Sequence, residues 1–199
     1  MRILKNQRAL DFLKVYNIPT LDYTEISGGH CVLDKLPCVL KVDSPKIFHK
    51  SDKKGVHIIH NKEHAHKTFN KLRKHGTVLH QQHVNGHHFV LQVLSPPKGR
   101  KSILIGLSGI STDIHDDFSV RQCPIKAVSA NKMLKELISF SHVSNFNNKS
   151  TRLSVLEETL IYLSEIAVKE KIKTLEIDPF IINNKFGGVA DAKIILHGD

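Results

Sequence analysis

Leu175-Glu176-Ile177-Asp178-Pro179-Phe180, followed after a turn at Asn184-Lys185 by the returning Val189-Ala190-Asp191-Ala192, has the pattern of a β-hairpin that sets two acids against each other. β-branched and apolar residues on either side of that turn predict strands over Thr174–Asn183 and Val189–Leu196. Glu176 and Asp178 are two apart and therefore share one face of their strand. With the turn at Asn184-Lys185, Asn183 pairs with Phe186 and Asp178 falls opposite Asp191. Like charges opposed on a sheet repel each other. A hard divalent cation bridging them to phosphate oxygens would account for the pair, since Mg²⁺ is commonly held by one or two carboxylates plus phosphate. A solvated sheet face beside lysines accounts for it equally well.

Upstream, Ala9, Leu10, Leu13 and Tyr16 recur at helical spacing, which predicts a helix over 6–16 ended by Asn17-Ile18-Pro19. A Gly28-Gly29 turn precedes the buried strand Cys38–Val42; a polar loop, 43–54, leads to a strand over Val56–Ile59. Ala65, Phe69 and Leu72 mark an amphipathic helix over Lys62–Lys74, closed by Gly76. Thr77–Val84 reads as a strand ending at the hairpin-type signal Asn85-Gly86. Phe89–Leu94 and Ser102–Leu107 read as strands joined through Pro96-Pro97-Lys98-Gly99. A short helix is expected over Asn131–Phe140 and an Asn-rich linker over 142–150. Leu153, Leu156, Leu160, Leu163 and Ala167 carry a long helix over about 152–171, with Ser150 or Thr151 as its N-cap. Helices and hairpins mixed in this way predict an α+β fold and disfavour a doubly wound parallel sheet.

Three further constellations bear on chemistry. Lys41 lies within the apolar run Leu40-Lys41-Val42, where it suits a phosphate-contacting cation on a rigid strand or a lysine snorkelling from a sheet edge. In His49-Lys50-Ser51-Asp52, His49 carries an imidazole mostly neutral at neutral pH, as a nucleophile toward phosphorus must be, or is a surface histidine. Gly106-Leu107-Ser108-Gly109-Ile110 leads to Asp113 and Asp116-Asp117; such glycines allow close approach to an anion or a tight strand exit. The histidines 57, 60, 64 and 66 have neither the facing nor the cysteine partners of a structural zinc site.

The chain has 199 residues, a net charge of +10 and fourteen histidines. That charge calls for an anionic partner. The cations are dispersed from Arg2 to Lys193 and tryptophan is absent, so a nucleotide or an acidic protein partner explains them without nucleic acid. No apolar run reaches membrane-spanning length, and Cys31, Cys38 and Cys123 read as reduced thiols, so a cytoplasmic location is expected.

Together these residues resemble the ATP-grasp β subunit, or domain, of ADP-forming acetyl-CoA and acyl-CoA synthetases, relatives of succinyl-CoA synthetase β. Arg8–Pro19 resembles the opening helix, Leu36–Val42 the lysine-bearing strand, and Ser44-Pro45, His49–Asp52 and Gly55-Val56 the following loop. Val78–Val84 sits at the family's hinge; Gly106–Ile125 follows its glycine-rich stretch; Leu175–Phe180 and Ala190–Ala192 match its ending. The resemblance implies an ATP-grasp fold of two lobes clasping a nucleotide, the N-terminal helix and first lobe about 1–84 and the second lobe about 85–199. It implies that Lys41 contacts ATP phosphates, that the chain at Gln81, Gln82 and His83, with Gly109, binds ATP or ADP, and that Asp178 and Asp191, with Asp113 nearby, hold Mg²⁺. It implies that His49 accepts the phosphoryl group from a phosphohistidine of a CoA-binding α subunit and passes it to ADP, in a hetero-oligomer active only with that subunit. Gln82 stands where the family has an acid, His88 where it has glutamate, and Lys54 and Ser108 where it has glycine. Asp178 stands for asparagine and Asp113 for glutamate, and the helix between Tyr23 and Leu36 is truncated. A degenerate ATP-grasp domain that regulates or scaffolds a partner is the alternative these departures raise.

Overall fold

The computed structural model describes residues 2–26, 35–43, 55–108 and 117–197. In chain order the elements are β1 (Arg2–Lys5), α1 (Gln7–Val15), β2 (Tyr23–Ile26), β3 (Cys38–Asp43), β4 (Val56–Ile59) and α2 (Lys62–Leu72). β5 (Thr77–Gln82), β6 (His87–Leu94), β7 (Ser102–Leu107), β8 (Phe118–Gln122), α3 (Ala127–Lys135) and α4 (Phe140–Val143) follow. β9 (Asn145–Phe146), β10 (Lys149–Ser150), α5 (Leu153–Lys169), β11 (Ile172–Ile182), β12 (Gly187–Val189) and β13 (Ala192–Leu196) complete the described chain. They form two compact units, one of Leu21–Val84 and one of the residues before and after it.

The smaller unit is an antiparallel four-stranded sheet in the order β2-β5-β3-β4. Strand alternation turns Cys38, Leu40 and Val42 of β3 toward one face, where Ala65, Phe69 and Leu72 of α2 complete the core. Asn61 starts α2 by accepting from the His64 N–H at 2.8 Å, satisfying one of the donors a helix N-terminus leaves open.

The larger unit is a seven-stranded sheet whose main path runs β1-β13-β11-β6-β7-β8, with β12 beside β11. Phe89, Leu91 and Val93 on β6, Ile103 and Ile105 on β7, and Leu175 and Ile177 on β11 are all buried. The apolar stripe of α5, Leu156, Leu160, Leu163 and Ala167, packs on that side of the sheet. Lys101 donates to the carbonyls of Ala167 and Glu170 at 2.8 and 3.1 Å, filling acceptors that the end of α5 leaves open. The Tyr16 hydroxyl ties α1 to the same place by donating to Glu170 at 2.5 Å. That bond, then burial and the nearby negative charge, push the Tyr16 phenol up to about 12. Burial likewise pushes the Cys123 thiol up to about 11, against the pull of Lys101.

Several expectations need correction. The N-terminal helix belongs to the larger unit, not to a lobe ending at 84, because β1 pairs with β13 and draws α1 onto that sheet. Asn85-Gly86 does not close a hairpin: β5 and β6 belong to different sheets. A Cβ at Gly86 would lie 2.5 Å from the Ile182 carbonyl oxygen, so close approach rather than turn type requires this glycine. α3 runs over Ala127–Lys135, starting before Asn131 and ending before Phe140, because its buried stripe is Ala130, Met133 and Leu134. Neither Ser150 nor Thr151 caps α5: its N-cap is Arg152, and no side chain bonds there. The expected linker carries the small β9–β10 ladder, and the last strand is interrupted at Ala190-Asp191. Among the described residues no helix is long and apolar enough to cross a membrane.

Candidate functional site

The interruption at Ala190-Asp191 is where the acids meet. β11 pairs with β12 from Ile182↔Gly187 to Phe180↔Val189 and resumes with β13 at Ile177↔Ala192, in one unbroken register. Across the gap the Asp178 N–H donates to the Asp191 carbonyl at 3.2 Å, and the Ala190 N–H donates to the Pro179 carbonyl at 3.0 Å. Asp178 and Asp191 therefore stand directly opposite each other, as the two-residue turn at Asn184-Lys185 requires. Asn183 fixes that turn by accepting from the N–H groups of Lys185 and Phe186, both at 2.8 Å.

On its other edge β11 carries a bulge. Its register against β6 shifts between Ile177↔Leu91 and Phe180↔Phe89, so Asp178 and Pro179 span the extra residue. Proline brings no N–H to a ladder, which is why a central strand accommodates it at a bulge. The bulge returns Phe180 to the buried side held by Leu175 and Ile177 and leaves Asp178 exposed. Glu176, two residues earlier, is opposed by Lys193, whereas Asp178 is opposed by like charge. Asp178 accepts from the Ser108 hydroxyl at 2.5 Å, and the Asp191 carboxylate accepts from the Ala192 N–H at 3.0 Å.

The smaller unit carries a different set of its own. Lys41 is 2% exposed on the central strand β3, opposite Leu79, and Gln81 is 3% exposed opposite Val39. Alternation puts Lys41, Leu79 and Gln81 on the face away from α2. The Gln81 amide nitrogen is buried with no hydrogen-bond partner, and so is His83 Nδ1 just beyond β5. Buried donors are nearly always satisfied, so an orphaned amide beside a buried lysine is what a site built for an acceptor-rich ligand looks like. Gln82 alternates to the other side and is exposed.

His49, Gly109 and Asp113 lie outside the described residues. Among the described residues no group of three or more His, Cys, Asp or Glu side chains gathers to hold a metal, the histidines of 57–66 included. The two aspartates match the sparser demand of Mg²⁺, which completes its shell with water and phosphate oxygens. Ser108, noted in the sequence only as a departure from glycine, emerges as a partner of Asp178. Its contact spans 70 positions of sequence, beyond the reach of any local pattern. The signal that was available is Pro179, a proline inside a strand, which marks a bulge and a re-aimed neighbour.

The model of the ATP-grasp domain family matches residues 1–196. The chain belongs to the ATP-grasp family. One relative is the β subunit of acetate–CoA ligase [ADP-forming] I of Pyrococcus furiosus, 25% identical over 214 residues that cover 98% of this chain and 92% of the relative. Among solved structures, dinucleotide forming acetyl-coenzyme A synthetase 1 of Ca. Korarchaeum cryptofilum, in complex with coenzyme A, Ca-AMPCP and HgCl+, superposes with a TM-score of 0.87. It is 23% identical, the match covering 98% of this chain and 94% of that one. A second structure of that synthetase holds coenzyme A and Mg-AMPPCP, its phosphohistidine segment pointing towards the nucleotide binding site. It superposes with a TM-score of 0.81 at 25% identity, covering 98% of this ATP-grasp chain and 93% of that one.

Proposed function

We propose that this chain is the nucleotide-binding β subunit of an ADP-forming acyl-CoA synthetase. The complete enzyme would interconvert acyl-CoA, ADP and phosphate with the free acid, ATP and CoA, a CoA-binding α subunit supplying the thioester chemistry. The observation that carries the reading is the pair Asp178 and Asp191, opposed in one register of an ATP-grasp domain whose relatives are β subunits of such ligases. Asp178 and Asp191, with Asp113, would hold Mg²⁺, which when bound neutralises charge on the phosphates. Lys41 adds a fixed cation for phosphate oxygens, and the Gln81 amide, with His83, Gly109 and the backbone at Gln82, whose side chain points to the other face, contacts the nucleotide. His49 accepts the phosphoryl group from the partner's phosphohistidine; a ring nitrogen forms the new P–N bond as the old one breaks. It then passes the group to the terminal phosphate oxygen of ADP and is regenerated. What the protein supplies is positioning and charge neutralisation.

The test is reconstitution with a CoA-binding α subunit, following ATP formed from acetyl-CoA, ADP and phosphate. The wild-type pair should make ATP, and His49→Asn should abolish turnover while ADP binding persists. Full activity of the His49→Asn pair overturns the relay. Absence of ADP binding at millimolar nucleotide overturns the enzyme reading in favour of a regulatory or scaffolding ATP-grasp domain.

A further inference from the structure

The Ser108 hydroxyl bonds the carboxylate proposed above as a metal ligand, and both residues depart from the pattern the chain otherwise resembles. Ser108 follows β7, and its backbone is fixed by an N–H bond to the His88 carbonyl at 2.8 Å. Asp178 sits at the bulge of β11, its backbone fixed on Asp191. Two anchored backbones thus present one hydroxyl to one carboxylate oxygen at 2.5 Å. An ionised carboxylate has two acceptor oxygens, whereas an asparagine amide has one oxygen and two donors.

We propose that Ser108 is a positioning residue that occupies one oxygen of Asp178 and leaves the other as a single, oriented ligand for the nucleotide-bound divalent ion. The inference rests on the metal reading of Asp178 and Asp191. It makes the two departures compensate: the oxygen that aspartate adds relative to asparagine is the one the serine takes. A monodentate carboxylate suits the small octahedral Mg²⁺, whereas a freed carboxylate can chelate the larger and more permissive Ca²⁺.

The test is calorimetry of ADP binding to the full chain with Mg²⁺ or Ca²⁺, in wild type, Ser108→Ala, Ser108→Thr, Asp178→Asn, Asp191→Asn and the double variant Ser108→Ala with Asp178→Asn. Ser108→Ala should weaken Mg-ADP roughly three- to tenfold, the scale of one lost charge-assisted bond at an exposed site. Ca-ADP should be weakened less or not at all, and Ser108→Thr, which keeps the hydroxyl, should restore the Mg²⁺ affinity. In the Asp178→Asn background the sign should reverse. The hydroxyl there competes with the ion for the only oxygen, so removing it should tighten Mg-ADP, a coupling that independent sites would not show. Equal weakening of both metal complexes, or the same sign in both backgrounds, overturns the proposal and reduces Ser108 to a structural contact. If Asp178→Asn and Asp191→Asn both leave Mg-ADP binding at the wild-type level, the metal reading itself fails and takes this one with it.

Discussion

Asp178→Asn removes one charge from a directly opposed carboxylate pair and keeps an oxygen able to accept from Ser108. Side chains directly opposite on antiparallel strands stand about 5 Å apart. Two unit charges at about 5 Å repel by roughly 0.8 kcal/mol in water, and salt lowers that further. Asp178 is exposed, so the low end applies, about 0.5 kcal/mol. In a domain of this size that amounts to a rise in Tm of roughly 1–2 °C. The rise is expected only without metal. With Mg-ADP at about a hundred times its Kd, the wild type gains roughly 2.7 kcal/mol by linkage, and the variant gains less because it has lost part of its ligand set. Thermal melts in EDTA and in excess Mg-ADP should therefore rank the two proteins in opposite orders. A variant that melts below wild type in EDTA and matches it in Mg-ADP would refute both the repulsion and its purpose.

Leu160→Ala removes a fully buried side chain at the centre of α5 and should cost about 2–5 kcal/mol, read from urea unfolding with an unchanged m-value. Gly86→Ala sets a Cβ 2.5 Å from the Ile182 carbonyl oxygen, where only backbone can yield. It should cost at least about 1–3 kcal/mol, against a few tenths for an unconstrained glycine, and a neutral result would contradict the close approach. Tyr16 has its pKa raised from 10.0 to about 12, so its contribution is intact below pH 10 and is lost as pH rises toward 12. Unfolding curves of wild type and Tyr16→Phe should therefore run parallel below pH 10 and converge above it; constant separation would contradict the Glu170 bond.

Much of the larger unit was legible because its strands alternate. Phe89, Leu91 and Val93 point inward at every second residue, and a two-residue turn at Asn184-Lys185 leaves no freedom in register, so the Asp178–Asp191 opposition followed from counting. Asn85-Gly86 misled because a hairpin turn and a passage between sheets use the same permissive residues; only the Ile182 carbonyl distinguishes them. β1 was missed because Arg2–Lys5 offers just Ile3 and Leu4, and its pairing partner is β13 at the other end of the sequence. α3 lacks a side-chain cap, so nothing local marked its start. The environment of Asp178 was half legible: Pro179 announces the bulge, while Ser108 lies just past the end of β7, beyond β6, where sequence spacing does not bring it near.

The proposed function requires Asp191 and Asp178 together to tie a divalent ion to nucleotide phosphates. Its most direct test is ADP binding to the whole chain, with and without Mg²⁺, for wild type and Asp191→Ala. Mg²⁺ should tighten ADP in the wild type, and Asp191→Ala should lose this gain while its metal-free affinity stays the same. Equal tightening by Mg²⁺ in both proteins would contradict it.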